Sequence, residues 1–127
     1  ATPVVRAMFE AVRQAQSEAL RLVKPGVRGD RIHARVQEIF TDRGFFTGDR
    51  DGLPVGFFHG TGHGVGLEIH EPPSLSLAPV RLRAGHVVTV EPGLYYPEHG
   101  GLRIEDTVVV TSGGAEILCP CEKVLEL

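Results

Sequence analysis

The run "HVVTVEPGLYYPEHGGLRIEDTVVV", His86 to Val110, decides the fold class. It holds two β-branched stretches, residues 86–91 and 102–110, broken by "PG" and by "HGG". A third stretch, "AEIL" at residues 115–118, follows "SGG". Branched side chains suit a pleated surface, and Gly and Pro punctuate between strands. The spacing predicts an antiparallel set.

Upstream of this run the period changes. Over residues 4–22 the apolar positions Val5, Met8, Phe9, Val12, Ala15, Ala19 and Leu22 recur at helical spacing, and "KPG" closes the helix. A second helix is predicted over residues 30–43, with Ile32, Val36, Ile39 and Phe40 on its apolar face. Asp30 suits its first turn, where a carboxylate meets the positive end of the helix dipole, and Gly44 suits its end. His33 lies one position off the apolar stripe and is expected at its solvated boundary. Residues 46–56, "FTGDRDGLPVG", are dense in turn formers and are read as a loop. Two helices followed by antiparallel strands give an α+β domain, the helices on one face of the sheet. The 127 residues suffice for one such domain, and no repeat or linker divides them.

The strands also carry charge. Alternation places Val87, Thr89 and Glu91 on one face. Glu91 therefore ends an apolar run, where an unpaired buried charge is costly. The same alternation sets Arg103 and Glu105 side by side, opposite Leu102, Ile104, Val108 and Val110, so that the guanidinium can orient the carboxylate.

Between helices and strands lies "HGTGHGVGLEIHE", residues 59–71, with three histidines and two glutamates among four glycines. A dinucleotide-binding loop needs a third glycine five positions after the first, and Val65 or Leu67 stands there instead. His63, Glu91 and Glu105 together make an imidazole and two carboxylates, a set suited to borderline or hard divalent metals. Glycines beside His63 let backbone pass close to an ion. His59 and His70 are then available for substrate contact or proton transfer.

The bulk numbers exclude several classes. Net charge is −3 with no lysine or arginine block, so nothing advertises a nucleic-acid or membrane surface. No apolar run approaches the roughly 18 residues that a membrane-spanning helix needs. Cys119 and Cys121 are the only cysteines. A disulfide across one residue is strained, and two thiols do not complete a zinc site. A reduced pair points to the cytoplasm.

The motifs "HGTGHGVGLEIHE", "TVEPGLYY" and "GLRIEDTVVVT", in this order, strongly resemble the pita-bread metallopeptidases: Xaa-Pro aminopeptidase, prolidase, methionine aminopeptidase and creatinase. "AVRQAQSEALRLVKPGV" is similar to the family helix that follows the first metal-binding strand, and "EPGLYYPEHGGLRIED" favours the Xaa-Pro branch. The resemblance implies half of a pita-bread fold. It assigns His63, Glu91 and Glu105 as metal ligands, with Glu91 also the general base and Glu105 bridging two ions. His59 and His70 match substrate-contacting histidines, and Arg103 matches the arginine supporting the bridging carboxylate. Glu68 and Glu71 are not expected to be ligands. The implied cofactors are two divalent ions (manganese, cobalt or zinc) that hold a hydroxide for attack on a peptide carbonyl. The implied substrate is a peptide with proline in its second position.

The family also uses two aspartates eleven positions apart in an upstream hairpin. Asp30, Asp42, Asp49, Asp51 and Asp106 include no pair with that separation. Residues 1–127 are therefore expected to be the C-terminal part of a catalytic domain, starting after that hairpin. Alone, the chain is expected to be inactive, to bind at most one ion weakly, and to associate with itself or with the upstream half. A non-catalytic binding module and a creatinase-like metal-free hydrolase share the resemblance; the intact His63, Glu91 and Glu105 weigh against both.

Overall fold

The computed structural model describes residues 1–126. Helix α1 spans Pro3–Leu22 and α2 spans Gly29–Asp42. Thr2 caps α1: its hydroxyl accepts from the Val5 amide at 3.3 Å, and Pro3 occupies the first turn, where no amide hydrogen is needed. Met8, Ala11, Val12, Ala15 and Ala19 form the buried stripe of α1, and Ile32, Val36, Ile39 and Phe40 that of α2. The two helices pack on each other; α1 also touches the strand layer and α2 the segment beside the histidine run.

Among the described residues nine strands follow: β1 (Gly48–Arg50), β2 (Leu53–Val55), β3 (Gly62–Gly64), β4 (Glu71–Leu75), β5 (Val87–Val90), β6 (Gly93–Tyr96), β7 (Gly100–Arg103), β8 (Asp106–Thr111) and β9 (Gly114–Ile117). The main sheet is antiparallel in the order β4-β3-β5-β8-β9, and β1-β2 and β6-β7 are separate two-stranded ribbons. Val88, Val90, Val108 and Val110 point into the core beneath the helices. Burying a side chain of this size fully is worth roughly 1.5–3 kcal/mol. This is the α+β arrangement that the sequence implied.

Three details depart from the sequence reading. Residues 46–56 are not all loop, since β1 and β2 pair within them through Gly48–Val55, Asp49–Pro54 and Arg50–Leu53. Three-residue strands are too short for an alternation to show. Residues 102–110 are not one strand either. The chain leaves the β6-β7 ribbon after Arg103 and enters the main sheet at Asp106, while the alternation of exposed and buried positions continues through Ile104 and Glu105. Finally, His33 is buried, only 5% exposed, because the histidine segment lies over that flank of α2.

Candidate metal and peptide site

Strand β3 is squeezed between β4 and β5, and its glycines are what allow it. A Cβ on Gly62 would run into the carbonyl oxygen of Thr89, and one on Gly64 would meet the backbone oxygens of Glu71 and Pro72. His63, between them, is thereby held against the end of β5. Its Nε2 lies 3.0 Å from Glu91 Oε1. Its Nδ1 lies 3.0 Å from the carbonyl oxygen of Gly64, a contact in which the nitrogen must donate. With Nδ1 committed to Gly64, Nε2 is the ring nitrogen that faces Glu91.

Glu91 is 8% exposed and fully engaged. Oε1 accepts from the Thr89 hydroxyl at 2.8 Å, and Oε2 accepts from Arg103 Nη1 at 3.0 Å. The sequence reading set Arg103 beside Glu105; the structure pairs it with Glu91 instead. The β6-β7 register brings this about: Arg103 stands opposite Gly93, two residues after Glu91. Glu105 is exposed, and among the described residues no hydrogen bond or ion pair joins it.

His59 lies at the other side of the cleft. Its Nδ1 donates to the carbonyl of Gly60 at 2.8 Å, so the Tyr95 hydroxyl, 3.1 Å from Nε2, donates to the ring. Burial pushes the Tyr95 phenol above its ordinary value; Arg103 opposes the shift, and Glu91 and Glu105 add to it. The ring of His70, itself exposed, is centred 4.3 Å from that of His63. His59, His63, His70, Glu91 and Arg103 line one open cleft of about 360 Å³, with Ser74 and Ser76 opposite. A larger groove of about 550 Å³ between α1 and β9 carries no histidine or carboxylate.

Two donors of one ion with bonds near 2.1 Å, set at right angles, stand about 3 Å apart. The His63–Glu91 separation matches that. An imidazole whose other nitrogen donates to a backbone carbonyl is also how metal-ligating histidines are oriented. These two residues fit a place in a divalent-metal site. Among the described residues, however, no group of three His, Cys, Asp or Glu side chains is gathered closely enough to hold an ion. His63 and Glu91 are the pair that this geometry brings within 3.0 Å.

Three partners of the site were not assigned from the sequence. Thr89 had a signal, since it shares a strand face with Glu91. His33 Nδ1 bonds the Thr61 hydroxyl at 3.0 Å, and Tyr95 bonds His59; these contacts join distant segments and left no trace in spacing.

Helices on an antiparallel sheet, with a histidine strand laid beside a strand-ending glutamate, define a domain of the pita-bread hydrolase class. The model of metallopeptidase family M24 matches residues 1–112, and the chain belongs to that family. It is 42% identical over 121 residues to an Xaa-Pro dipeptidase of Pyrococcus furiosus, covering 94% of this chain and 32% of the relative. The prolidase structure from Pyrococcus horikoshii superposes with a TM-score of 0.87 at 36% identity, over 98% of this chain and 34% of that one. The X-Pro aminopeptidase structure from Thermotoga maritima gives 0.85 at 35% identity, over 97% and 33%. The chain thus spans about a third of the length of these relatives. Among the described residues, no helix is long and apolar enough to cross a membrane.

Proposed function

We propose that residues 1–127 form the C-terminal part of the catalytic domain of a metal-dependent exopeptidase. The enzyme releases an N-terminal residue that precedes proline, as an aminopeptidase or dipeptidase. The observation that carries this reading is the approach of His63 Nε2 to Glu91 Oε1, with Nδ1 already committed to Gly64. His63 and Glu91 hold a divalent ion (manganese, cobalt or zinc), and Glu105 is assigned as a further ligand on the resemblance alone. Bound there, the ion supplies Lewis-acid activation of water and of the peptide carbonyl.

The protein groups do the rest. Glu91 takes up the proton of the attacking water, and the Arg103 guanidinium on its other oxygen balances its charge. His59, its tautomer fixed by Gly60 and Tyr95, and His70, at the cleft mouth, contact the peptide. The remaining ligands come from a preceding segment of the complete domain, and the reduced thiols of Cys119 and Cys121 favour a cytoplasmic setting. Leu67, Ile69 and Leu77 are largely exposed, which favours self-association of the lone chain or its capture by that segment.

The test is release of the first residue from an Xaa-Pro peptide with manganese or cobalt present. The chain is assayed alone and fused behind the upstream two-thirds of a prolidase-length relative. Expected are no cleavage by the chain alone and cleavage by the fusion that Glu91→Gln abolishes. Cleavage by the lone chain, or an inactive but folded fusion, overturns the reading.

A further inference from the structure

We propose that Thr89 is a positioning residue: its single hydroxyl couples the backbone of His63 to the carboxylate of Glu91 and fixes the direction in which that carboxylate points. The proposal rests on the reading of Glu91 as the reactive carboxylate. Thr89 is 3% exposed, on the inner part of β5. Its Oγ1 lies 3.1 Å from the His63 amide nitrogen and 2.8 Å from Glu91 Oε1.

Proton counting sets the direction of this chain of bonds. The His63 amide can only donate, so the hydroxyl accepts there. Its one hydrogen is then left for Glu91, whose carboxylate oxygen accepts. The order is His63 N–H to Thr89 Oγ1, then Thr89 O–H to Glu91 Oε1, each bond polarising the next. The bond to the charged oxygen is the stronger one. Oε2 is meanwhile held by Arg103, so the carboxylate is gripped at both ends. The Thr89 grip comes from within the sheet, whereas Arg103, 48% exposed in its side chain, closes from the solvent side.

The backbone shows why the hydroxyl is needed here. Glu91 N donates to Thr61 O at 2.7 Å and Val65 N to Val87 O at 2.9 Å, which brackets β3 against β5 on either side of His63. The His63 amide falls between these bonds and is met by a side chain instead. A valine in place of Thr89 fills the same space and suits a strand, yet leaves a donor and a carboxylate oxygen without their partner.

The test compares Thr89→Val and Thr89→Ala with Thr89→Ser by nuclear magnetic resonance on the full 127-residue chain. Two signals are read: hydrogen exchange of the His63 amide, and the three-bond couplings that report the Glu91 side-chain rotamer. The amides of Thr61, Val65 and Glu91, bonded to backbone carbonyls, are the internal reference. Without the hydroxyl, the His63 amide is expected to exchange about tenfold faster relative to that reference. The Glu91 couplings should then average, and serine should restore both signals. A general loosening of the sheet would move all four amides together. Unchanged His63 and Glu91 signals in the hydroxyl-free variants, movement of all four amides alike, or failure of serine to restore them, overturns the proposal. Two hydroxyl-free variants keep the comparison valid if one does not fold. Neither signal needs metal or activity, so a failure of the peptidase reading shows itself separately.

Discussion

The two ends of the histidine segment are made of similar residues and are held very differently. Residues 61–64 are tied on every side: Thr61 N to Leu75 O at 2.8 Å, Thr61 O to the Glu91 amide, the Thr61 hydroxyl to His33, and the His63 amide to Thr89. Three and five residues on, Leu67 is fully exposed and Ile69 74% exposed. The two carboxylates repeat the contrast. Glu91 is buried with three partners, and Glu105, beside the start of β8, is exposed. Residue type does not separate these groups. What separates them is whether a neighbouring strand or helix offers a complementary donor or acceptor, because only a satisfied polar group can be buried without a large cost.

Asp106 offers the sharpest way to break the contrast. It follows Glu105 directly, yet it is 4% exposed, bonded to Gln16 Nε2 at 2.8 Å and Lys123 Nζ at 2.6 Å. It also stands opposite Val90, next to Glu91, so it anchors both strand ends to α1. Asp106→Ala strands a buried amide and an ammonium group, and is expected to destabilise the chain by about 3 kcal/mol in urea unfolding. A loss below about 1 kcal/mol would mean that the tied region does not depend on its buried polar partners.

A smaller effect is expected from pH, through His33. Burial lowers its proton affinity below the ordinary histidine value, and the nearby His59 lowers it further. The folded chain therefore binds fewer protons than the unfolded chain between the lowered value and about 6.5. Its contribution is complete at neutral pH. It is lost as pH falls through that window, and is constant again below it. Urea midpoints of wild type and His33→Gln should converge as pH drops from about 7.5 to 5.5. Parallel curves would show that His33 does not titrate with folding.

The smallest effects belong to the loose region. Glu105→Ala and Leu67→Ser are each expected to change stability by no more than about 0.5 kcal/mol, the usual range for exposed positions. A Glu105→Ala loss near that of Asp106→Ala would erase the distinction drawn between the two carboxylates.

The period-3.6 stripes and the branched runs were enough, in the sequence alone, to give two helices followed by an antiparallel sheet. The ordered motifs around His63, Glu91 and Glu105 were enough to give the family. Those signals are local, because side-chain period and short-range spacing are properties of one segment. Tertiary structure decided the rest. The burial of His33 required the histidine segment to lie over α2. The partnership of Arg103 with Glu91 required the β6-β7 register that sets Arg103 opposite Gly93. The approach of His63 to Glu91 required β3 to run beside β5, which Gly62 permits by having no Cβ to meet the Thr89 carbonyl. Each of these joins residues far apart in the chain, and no spacing within one segment encodes which distant group will arrive with the complementary hydrogen bond.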